Sequence, residues 1–165
     1  MPLAETRQTE TAFDLNGEAA TAAFAARLAP LAGPGDVIAL WGGLGTGKTV
    51  FARAFIRARG NPDEEVPSPT FTLVQVYDPA AGFSGSVYHF DLYRLDAPED
   101  AFELDIEDAF AEGISLIEWP DRLGPLLPDA RLDVTLAHGA SPESRRLSLS
   151  GVGGWRARLT EAGLV

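Results

Sequence analysis

The sequence predicts a single α/β domain over residues 1–165, with helices flanking a mixed central sheet and a C-terminal β-hairpin. Three observations predict this fold class. A short apolar run at 36–40 leads through a glycine-rich stretch into an amphipathic helix. A second apolar run, ISLI at 114–117, is typical of a strand buried on both faces. Alternating polar and apolar residues at 131–139 and 144–151 predict the hairpin.

The N-terminal part of the chain is predicted to contain an edge strand and a helix. Residues 5–15 are short and mixed, which favours a strand at the edge of the sheet. The alanine-rich stretch 17–33 predicts a helix that directs Phe24, Leu28 and Leu31 to one face.

The middle of the chain is predicted to form two paired strands and a further helix. The stretches 70–78 and 86–95 predict strands, and the short connection between them indicates an antiparallel pair. The stretch 98–113 predicts a helix with a proline near its start. Its inward-facing residues are expected to be Phe102, Ile106 and Phe110.

The glycine-rich stretch GGLGTGKT, residues 42–49, matches the phosphate-binding pattern G-x-x-x-x-G-K-S/T. It lies between a predicted strand and a predicted helix, which is the context that the pattern requires. Glycines let the backbone direct N–H groups at an anion, and the helix N-terminus adds a positive dipole end. The sequence therefore predicts a P-loop NTPase fold that binds a nucleotide with Mg²⁺. The residues expected to bind the nucleotide are Gly43, Leu44, Gly45, Thr46, Gly47, Lys48 and Thr49.

Lys48 is the only lysine in the sequence, and the other twelve basic residues are arginines. A compact ammonium on a flexible stem fits between phosphates, whereas a planar guanidinium is bulkier and directs its donors differently. A lysine retained at this one position indicates a specific chemical requirement, namely contact with the β- and γ-phosphates.

Hydrolysis of a bound nucleotide also needs a metal anchor and an organised water. Two acidic residues are candidates for the metal anchor: Glu118 closes an apolar run, and Asp91 follows a more polar one. A solvent-facing carboxylate at a strand end would explain Glu118 as well, and a helix or turn cap would explain Asp91. Thr70 follows two prolines, in a loop that could present its hydroxyl to Mg²⁺ or the γ-phosphate; an ordinary strand start is the alternative. His89 and His138 lack metal-ligand spacing and are expected to be structural.

The composition narrows the classes of function. The net charge of −11 argues against a protein that itself grips a nucleic-acid backbone, and permits docking on a basic partner. The chain has no cysteine, which excludes disulfides and thiolate metal sites. It has neither a hydrophobic signal core nor an apolar run of membrane-spanning length, so we expect a cytoplasmic protein without a membrane partner. The acidic run at 99–108 is either a solvated helix face or a docking surface.

Five stretches carry a family resemblance. In their order and spacing, GGLGTGKT, SPTFTLVQVY, HFDLYRL, ELDIEDAF and LIEWP resemble the bacterial TsaE family over roughly residues 17–130. These are small P-loop ATPases needed to make threonylcarbamoyladenosine in tRNA. HFDLYRL and EWP are far more specific than the phosphate-binding pattern, which many unrelated enzymes share.

The resemblance implies roles for individual residues. Thr49 and Glu118 would hold Mg²⁺, Asp91 would act at the reaction centre, and Thr70 would lie in a switch-like loop. The expected catalytic set is Lys48, Asp91, Glu118 and Thr70. Trp119 would belong to the same functional strip, or alternatively to the core or its rim.

The resemblance also implies partners and a purpose. The TsaD and TsaB proteins would carry out the transfer, and ATP hydrolysis here would reset their complex between turnovers, with tRNA contacted only indirectly. The chain departs from the family at two positions. It has Gly43 where the family usually has Asp, and Asp105 where the family usually has Gly.

Two other classes of function remain open from the residues alone. A small-molecule kinase of P-loop fold would need an acceptor pocket and usually an arginine-rich lid, and the sequence offers only the pair Arg145–Arg146. A nucleotide-dependent binding switch of the common guanine type would use N-K-x-D. A chain whose one lysine is Lys48 cannot contain that motif, which favours ATP.

Overall fold

The computed structural model describes residues 11–68 and 72–164. The strands are β1 (Thr11–Asn16), β2 (Val37–Trp41), β3 (Val74–Tyr77), β4 (Val87–Asp91), β5 (Ile114–Glu118), β6 (Leu132–His138) and β7 (Ser144–Gly151). The α-helices are α1 (Gly17–Leu28), α2 (Lys48–Arg59), α3 (Ile106–Glu112) and α4 (Trp155–Glu161). Shorter 3₁₀ segments cover Ala29–Leu31, Pro98–Leu104 and Pro120–Leu126.

The strands of the described residues form one seven-stranded mixed sheet in the order β1-β7-β6-β2-β5-β4-β3. The central strand β2 runs parallel to β5 and β6, and β4 runs parallel to β5. The pairs β1–β7, β6–β7 and β3–β4 are antiparallel. The predicted α/β fold, the mixed sheet, the C-terminal hairpin and the antiparallel β3–β4 pair are confirmed.

Helices cover both faces of the sheet. Successive residues of each strand point to opposite sides, so the apolar residues of the central strands must be buried on both faces. Ile38 and Leu40 of β2 pack in one cluster with apolar residues of α1, α2 and α4. Val37 of β2 and Ile117 of β5 pack in a second cluster with α3 and the 3₁₀ segments at 98–104 and 120–126. All five residues of β5 are buried, as expected for a strand covered on both faces.

The predicted helix over 98–113 is wrong in part. The chain forms a 3₁₀ segment and then α3, and the two are separated by Asp105 in the left-handed conformation (φ 57°, ψ 32°). Because a 3₁₀ segment has three residues per turn rather than 3.6, the inward face of α3 does not continue into it. Ile106 is buried as predicted, whereas Phe102 is 48% exposed.

Several other bounds differ from the sequence prediction. The first helix is α-helical only to Leu28 and continues as 3₁₀ from Ala29, with Pro30 at the second position. The strands β3 and β4 are shorter than predicted, and Leu73 (φ 63°) immediately precedes β3. Helix α4 was not predicted, although Trp155 and Leu159 lie four residues apart and both are buried. Within the described ranges, no helix is long and apolar enough to span a membrane.

Candidate functional site

The glycine-rich loop, residues 42–49, connects β2 to α2 at the carboxyl end of the central strand. Gly42 (φ 143°), Gly45 (φ 75°) and Gly47 (φ 106°) adopt backbone conformations that favour glycine. A Cβ at Gly42 would also lie 2.4 Å from the carbonyl oxygen of Leu136. By contrast, a Cβ at Gly43 would meet no atom within 4 Å.

Lys48 is nearly buried and its ammonium is held by the glycine-rich loop itself. Nζ donates to the carbonyl oxygen of Gly42 and, at 2.9 Å, to that of Gly43. The ammonium also lies 4.0 Å from the centroid of the Trp119 ring, which is a cation–π distance. A phosphate that contacts Lys48 would therefore replace these carbonyl contacts.

Burial and the nearby carboxylates shift the pKa of Lys48 in opposite directions. Burial lowers the pKa of its ammonium below the ordinary value, because the charged form is poorly solvated. The negative charges of Glu118, Asp91 and Asp121 oppose this shift in the pKa. Added negative charge from phosphates would favour the charged ammonium further.

Glu118 lies directly beside Thr49. Its Oε1 accepts a hydrogen bond from the Thr49 hydroxyl at 3.1 Å, and its Oε2 lies 2.7 Å from Nε2 of His89. Glu118 is 2% exposed and His89 is fully buried. The strand register explains the placement, because Glu118 pairs with Leu40 of β2 on one side and with Asp91 of β4 on the other.

Asp91 is the second carboxylate of the site and is 9% exposed. Its Oδ1 accepts the backbone N–H of Tyr93 at 3.2 Å, and its Oδ2 accepts the hydroxyl of Ser68 at 3.4 Å. These contacts hold the carboxylate in one orientation. Thr70, predicted as part of the catalytic set, lies outside the described residues, and Ser68 precedes it by two positions.

Trp119 follows β5 in a left-handed conformation (φ 58°, ψ 53°), which a side chain as large as tryptophan adopts only when its surroundings require it. This turn places the indole over the Lys48 ammonium and 4.9 Å from the Tyr93 ring, measured between centroids. The indole also packs against the second apolar cluster, so the place of Trp119 in the functional strip stays a prediction. Tyr93 was not predicted at the site, although it lies within the stretch HFDLYRL.

These residues surround one cavity of about 460 Å³, which we call the site cavity. Its lining brings together the predicted residues of the glycine-rich loop with Asp91 and Glu118, and adds Ser68, Tyr93, Arg94 and Trp119. His138 is exposed and is not among the lining residues.

A second cavity of about 200 Å³, the side cavity, adjoins the site cavity across the glycine-rich loop. The residues common to both linings are Glu18, Gly45, Thr46, Gly47 and Val50. Arg145, which also lines the side cavity, donates from Nη2 to the carbonyl oxygen of Gly45 at 3.2 Å. The sequence analysis did not predict the side cavity, because its wall comes from a turn 100 residues away.

A larger hollow of about 700 Å³ lies between α1 and α2 and is mostly apolar. Its lining contains none of the predicted site residues, although it shares Glu18 and Val50 with the lining of the site cavity. The convergence of charged and polar groups marks the site cavity, and not the larger hollow, as the candidate functional site.

The donor set beside the glycine-rich loop fits Mg²⁺. The Thr49 hydroxyl and the Glu118 carboxylate are oxygen donors, which this hard cation prefers, and Mg²⁺ commonly takes its other ligands from phosphates and water. Their oxygens already lie 3.1 Å apart. Among the described residues, no group of three or more His, Asp or Glu side chains is placed to hold a metal ion.

The parallel strand β2, the glycine-rich loop and α2, with an acidic residue at the end of the adjacent strand, define a P-loop α/β domain. Comparisons with known proteins identify the family. The sequence model of the family "Threonylcarbamoyl adenosine biosynthesis protein TsaE" matches residues 15–147. The chain belongs to this family, which takes part in the biosynthesis of threonylcarbamoyladenosine in tRNA.

Individual relatives agree with this assignment. The chain is 38% identical over 122 residues to the TsaE protein of Rickettsia bellii, covering 74% of this chain and 83% of the relative. It is 34% identical over 134 residues to that of Bacillus subtilis, covering 81% and 80%. The crystal structure of YdiB from Bacillus subtilis superposes with a TM-score of 0.73 at 26% identity, covering 94% of this chain and 95% of YdiB.

Proposed function

We propose that this chain is a Mg²⁺-dependent ATPase whose hydrolysis cycle resets a TsaD–TsaB transferase complex between rounds of tRNA modification in the cytoplasm. One observation carries the enzymatic part of the proposal. Thr49 and Glu118 meet at 3.1 Å beside the glycine-rich loop and line a cavity together with Lys48 and Asp91. Membership of the TsaE family supports the pathway.

The site cavity would receive the phosphates. Backbone N–H groups of the glycine-rich loop and the N-terminus of α2 would bind the β-phosphate, and Lys48 would turn from the Gly42 and Gly43 carbonyls to the β- and γ-phosphates. Thr49 and Glu118 would hold Mg²⁺, which neutralises charge that develops on the phosphates.

Asp91 would act on the attacking water. Its carboxylate is fixed by the N–H of Tyr93 and the hydroxyl of Ser68, yet it lines the site cavity. We propose that Asp91 orients the water in line with the γ-phosphate, so that the new oxygen–phosphorus bond forms as the bond to the β-phosphate oxygen breaks. A carboxylate held by two hydrogen bonds positions water without needing to reorganise.

The side cavity would receive the adenosine. It adjoins the site cavity at Gly45–Gly47 and Val50, on the β6–β7 side of the glycine-rich loop, while Glu118 lies on the β5 side. The nucleoside end of ATP would thus lie away from the carboxylates, and the γ-phosphate would face them. The guanidinium of Arg145 is available there as a stacking surface for a base.

The partner assignment rests on the family and on charge. With a net charge of −11, the chain is expected to bind bare tRNA poorly at physiological salt, because affinity for the phosphate backbone comes from Lys and Arg. It would contact tRNA only indirectly, through the transferase proteins. Hydrolysis by the chain alone is expected to be slow, which suits a protein that should consume ATP only when it is bound to the transferase complex.

ATP labelled on the γ-phosphate tests the enzymatic part of the proposal. We expect label to appear as inorganic phosphate in a Mg²⁺-dependent manner, and Glu118→Gln to reduce this release by about 100-fold or more, because charge stabilisation by a metal ion is worth several kcal/mol. Glu107→Gln is the matched control, because it removes the same charge from an exposed position on α3. Label transferred from ATP to a metabolite instead would support the kinase alternative and contradict the ATPase.

A further inference from the structure

His89 was expected to be merely structural, but its contacts give it a specific place next to the candidate metal site. His89 and Asp91 are two residues apart on β4, so their side chains point to the same face of the sheet. Glu118 pairs with Asp91 in the neighbouring strand and points to that face as well. The imidazole of His89 thus lies on the same face as the two carboxylates, two residues before Asp91 along β4.

We propose that His89 is a positioning residue that fixes the Glu118 carboxylate for Mg²⁺. The inference rests on the proposed function, because it assumes that Glu118 holds the metal ion. The two oxygens of Glu118 have different partners: Oε2 meets Nε2 of His89 at 2.7 Å, and Oε1 meets the Thr49 hydroxyl at 3.1 Å. Because His89 holds Oε2, the other oxygen, Oε1, stays directed at Thr49, which is its expected partner in metal binding.

The hydrogen-bonding chemistry sets the direction of the contact. An ionised carboxylate only accepts hydrogen bonds, so Nε2 of His89 must carry the proton and donate it. Outer partners of this kind fix the orientation of metal ligands, and their removal typically costs about 10- to 100-fold in metal affinity or activity. His89 is fully buried and Glu118 is 2% exposed, so the contact between them is shielded from bulk water.

The other ring nitrogen argues against a purely structural explanation. Nδ1 of His89 is buried and has no hydrogen-bond partner within residues 11–68 and 72–164. A buried polar atom without a partner destabilises the folded state, so an apolar side chain would fill this position at less cost. The imidazole is therefore best explained by the donor that it presents to Glu118.

Three substitutions separate the donor from the bulk of the ring. Gln carries its amide nitrogen at about the same distance from the backbone as Nε2, so His89→Gln can still donate to Glu118. Leu is of similar size and offers no donor. Asn carries its amide near the position of Nδ1, so His89→Asn keeps a polar group but cannot reach Glu118.

The test measures nucleotide binding rather than turnover. The affinity of each full-length variant for a fluorescent ADP is titrated with Mg²⁺ and with EDTA, and thermal unfolding is recorded without nucleotide. We expect wild type and His89→Gln to gain affinity on adding Mg²⁺. In His89→Leu and His89→Asn, the Mg²⁺ concentration needed for half of that gain should rise about 10- to 100-fold, with the affinity in EDTA unchanged.

A double substitution checks that His89 acts through Glu118. In a Glu118→Gln background, which is expected to lack the Mg²⁺-dependent gain, adding His89→Leu should leave the affinity for the fluorescent ADP unchanged both with Mg²⁺ and with EDTA. Unchanged Mg²⁺ dependence in His89→Leu, or equal loss in the Gln and Leu variants, would overturn the inference while leaving the proposed function intact. If even the wild-type protein gains no affinity from Mg²⁺, the proposed metal site fails and the role of His89 fails with it. If His89→Leu does not fold, the comparison of the Gln and Asn variants decides.

Discussion

Replacing Lys48 perturbs the site most directly. In the structure, Nζ donates to the carbonyl oxygens of Gly42 and Gly43, and binding of ATP would exchange these contacts for phosphate oxygens. A hydrogen bond to a charged group contributes about 1.5–3 kcal/mol, which corresponds to about 10- to 150-fold in affinity. Because the exchange gives up existing contacts, we expect Lys48→Ala to weaken ATP binding at the lower end, by about 10- to 30-fold.

Turnover should suffer more than binding. The ammonium would face charge that develops on the transferred phosphoryl group, and the loss of one such donor costs about 100- to 1,000-fold in rate. Lys48→Arg should fail as well, although it keeps the charge, because a guanidinium cannot occupy the space between the Gly42 and Gly43 carbonyls and the Trp119 ring. Folding should persist, with the thermal midpoint within about 4 °C of wild type, which corresponds to about 1 kcal/mol.

The pH dependence adds a check on the same residue. Burial lowers the pKa of Lys48, and only its charged form attracts phosphates. Affinity for ATP should therefore be full below this lowered pKa and should fall as the pH rises through it, whereas Lys48→Ala should lack this decline.

Calorimetric titration with ATP and an assay of phosphate release measure these effects. Arg27→Ala is the control, because it removes one positive charge from an exposed position on α1. Phosphate release by Lys48→Arg within threefold of wild type would refute the argument that the loop selects an ammonium.

Three further outcomes are expected. Asp105→Gly should raise the thermal midpoint by about 1–3 °C, because glycine adopts the left-handed conformation without strain and no cap hydrogen bond is lost. The control Asp108→Gly, within α3, should lower the midpoint. A lower midpoint for Asp105→Gly would contradict this explanation. Arg145→Ala should weaken ADP binding about two- to fivefold in a titration and leave inorganic triphosphate binding unchanged; equal loss for both ligands would place Arg145 against the phosphates. Asp91→Asn should slow phosphate release while keeping the Mg²⁺-dependent gain in ADP affinity, which Glu118→Gln should lose; the reverse pattern would exchange the roles of the two carboxylates.

The parts of the fold that depend on neighbouring residues could be predicted from the sequence. The glycine-rich loop lies between a buried strand and a helix because its pattern, the apolar run before it and the helical spacing after it are all local signals. Glu118 could be placed at the end of an apolar run for the same reason, whereas the predicted strand 86–95 extended past Asp91, at which β4 ends. Their meeting at one edge follows because β4 and β5 are parallel neighbours in the sheet.

Predictions failed where tertiary contacts decide the conformation. The helical spacing of Phe102 and Ile106 suggested one continuous helix, but the backbone reverses its hand at Asp105, where the family usually has glycine. Helix α4 was missed, although Trp155 and Leu159 follow a glycine-rich stretch with helical spacing.

The contacts of the site that sequence reasoning missed come from distant parts of the chain. His89 meets Glu118 across 29 positions, and Arg145 meets Gly45 across 100. No pattern of neighbouring residues in the sequence indicates contacts between positions so far apart. The alternation of HFD, which puts His89 and Asp91 on one face, was the available signal for the first contact.

The measurement that tests the proposed function most directly counts modified tRNA molecules per transferase complex. Purified TsaD and TsaB proteins, a threonylcarbamoyl donor and unmodified tRNA are incubated alone, with this chain and ATP, or with its Lys48→Ala variant and ATP. We predict few modified tRNA molecules per complex without this chain, many with it and ATP, and no recovery with the variant. A count that does not change on adding the wild-type chain with ATP would contradict the proposed resetting role, even if the chain hydrolyses ATP.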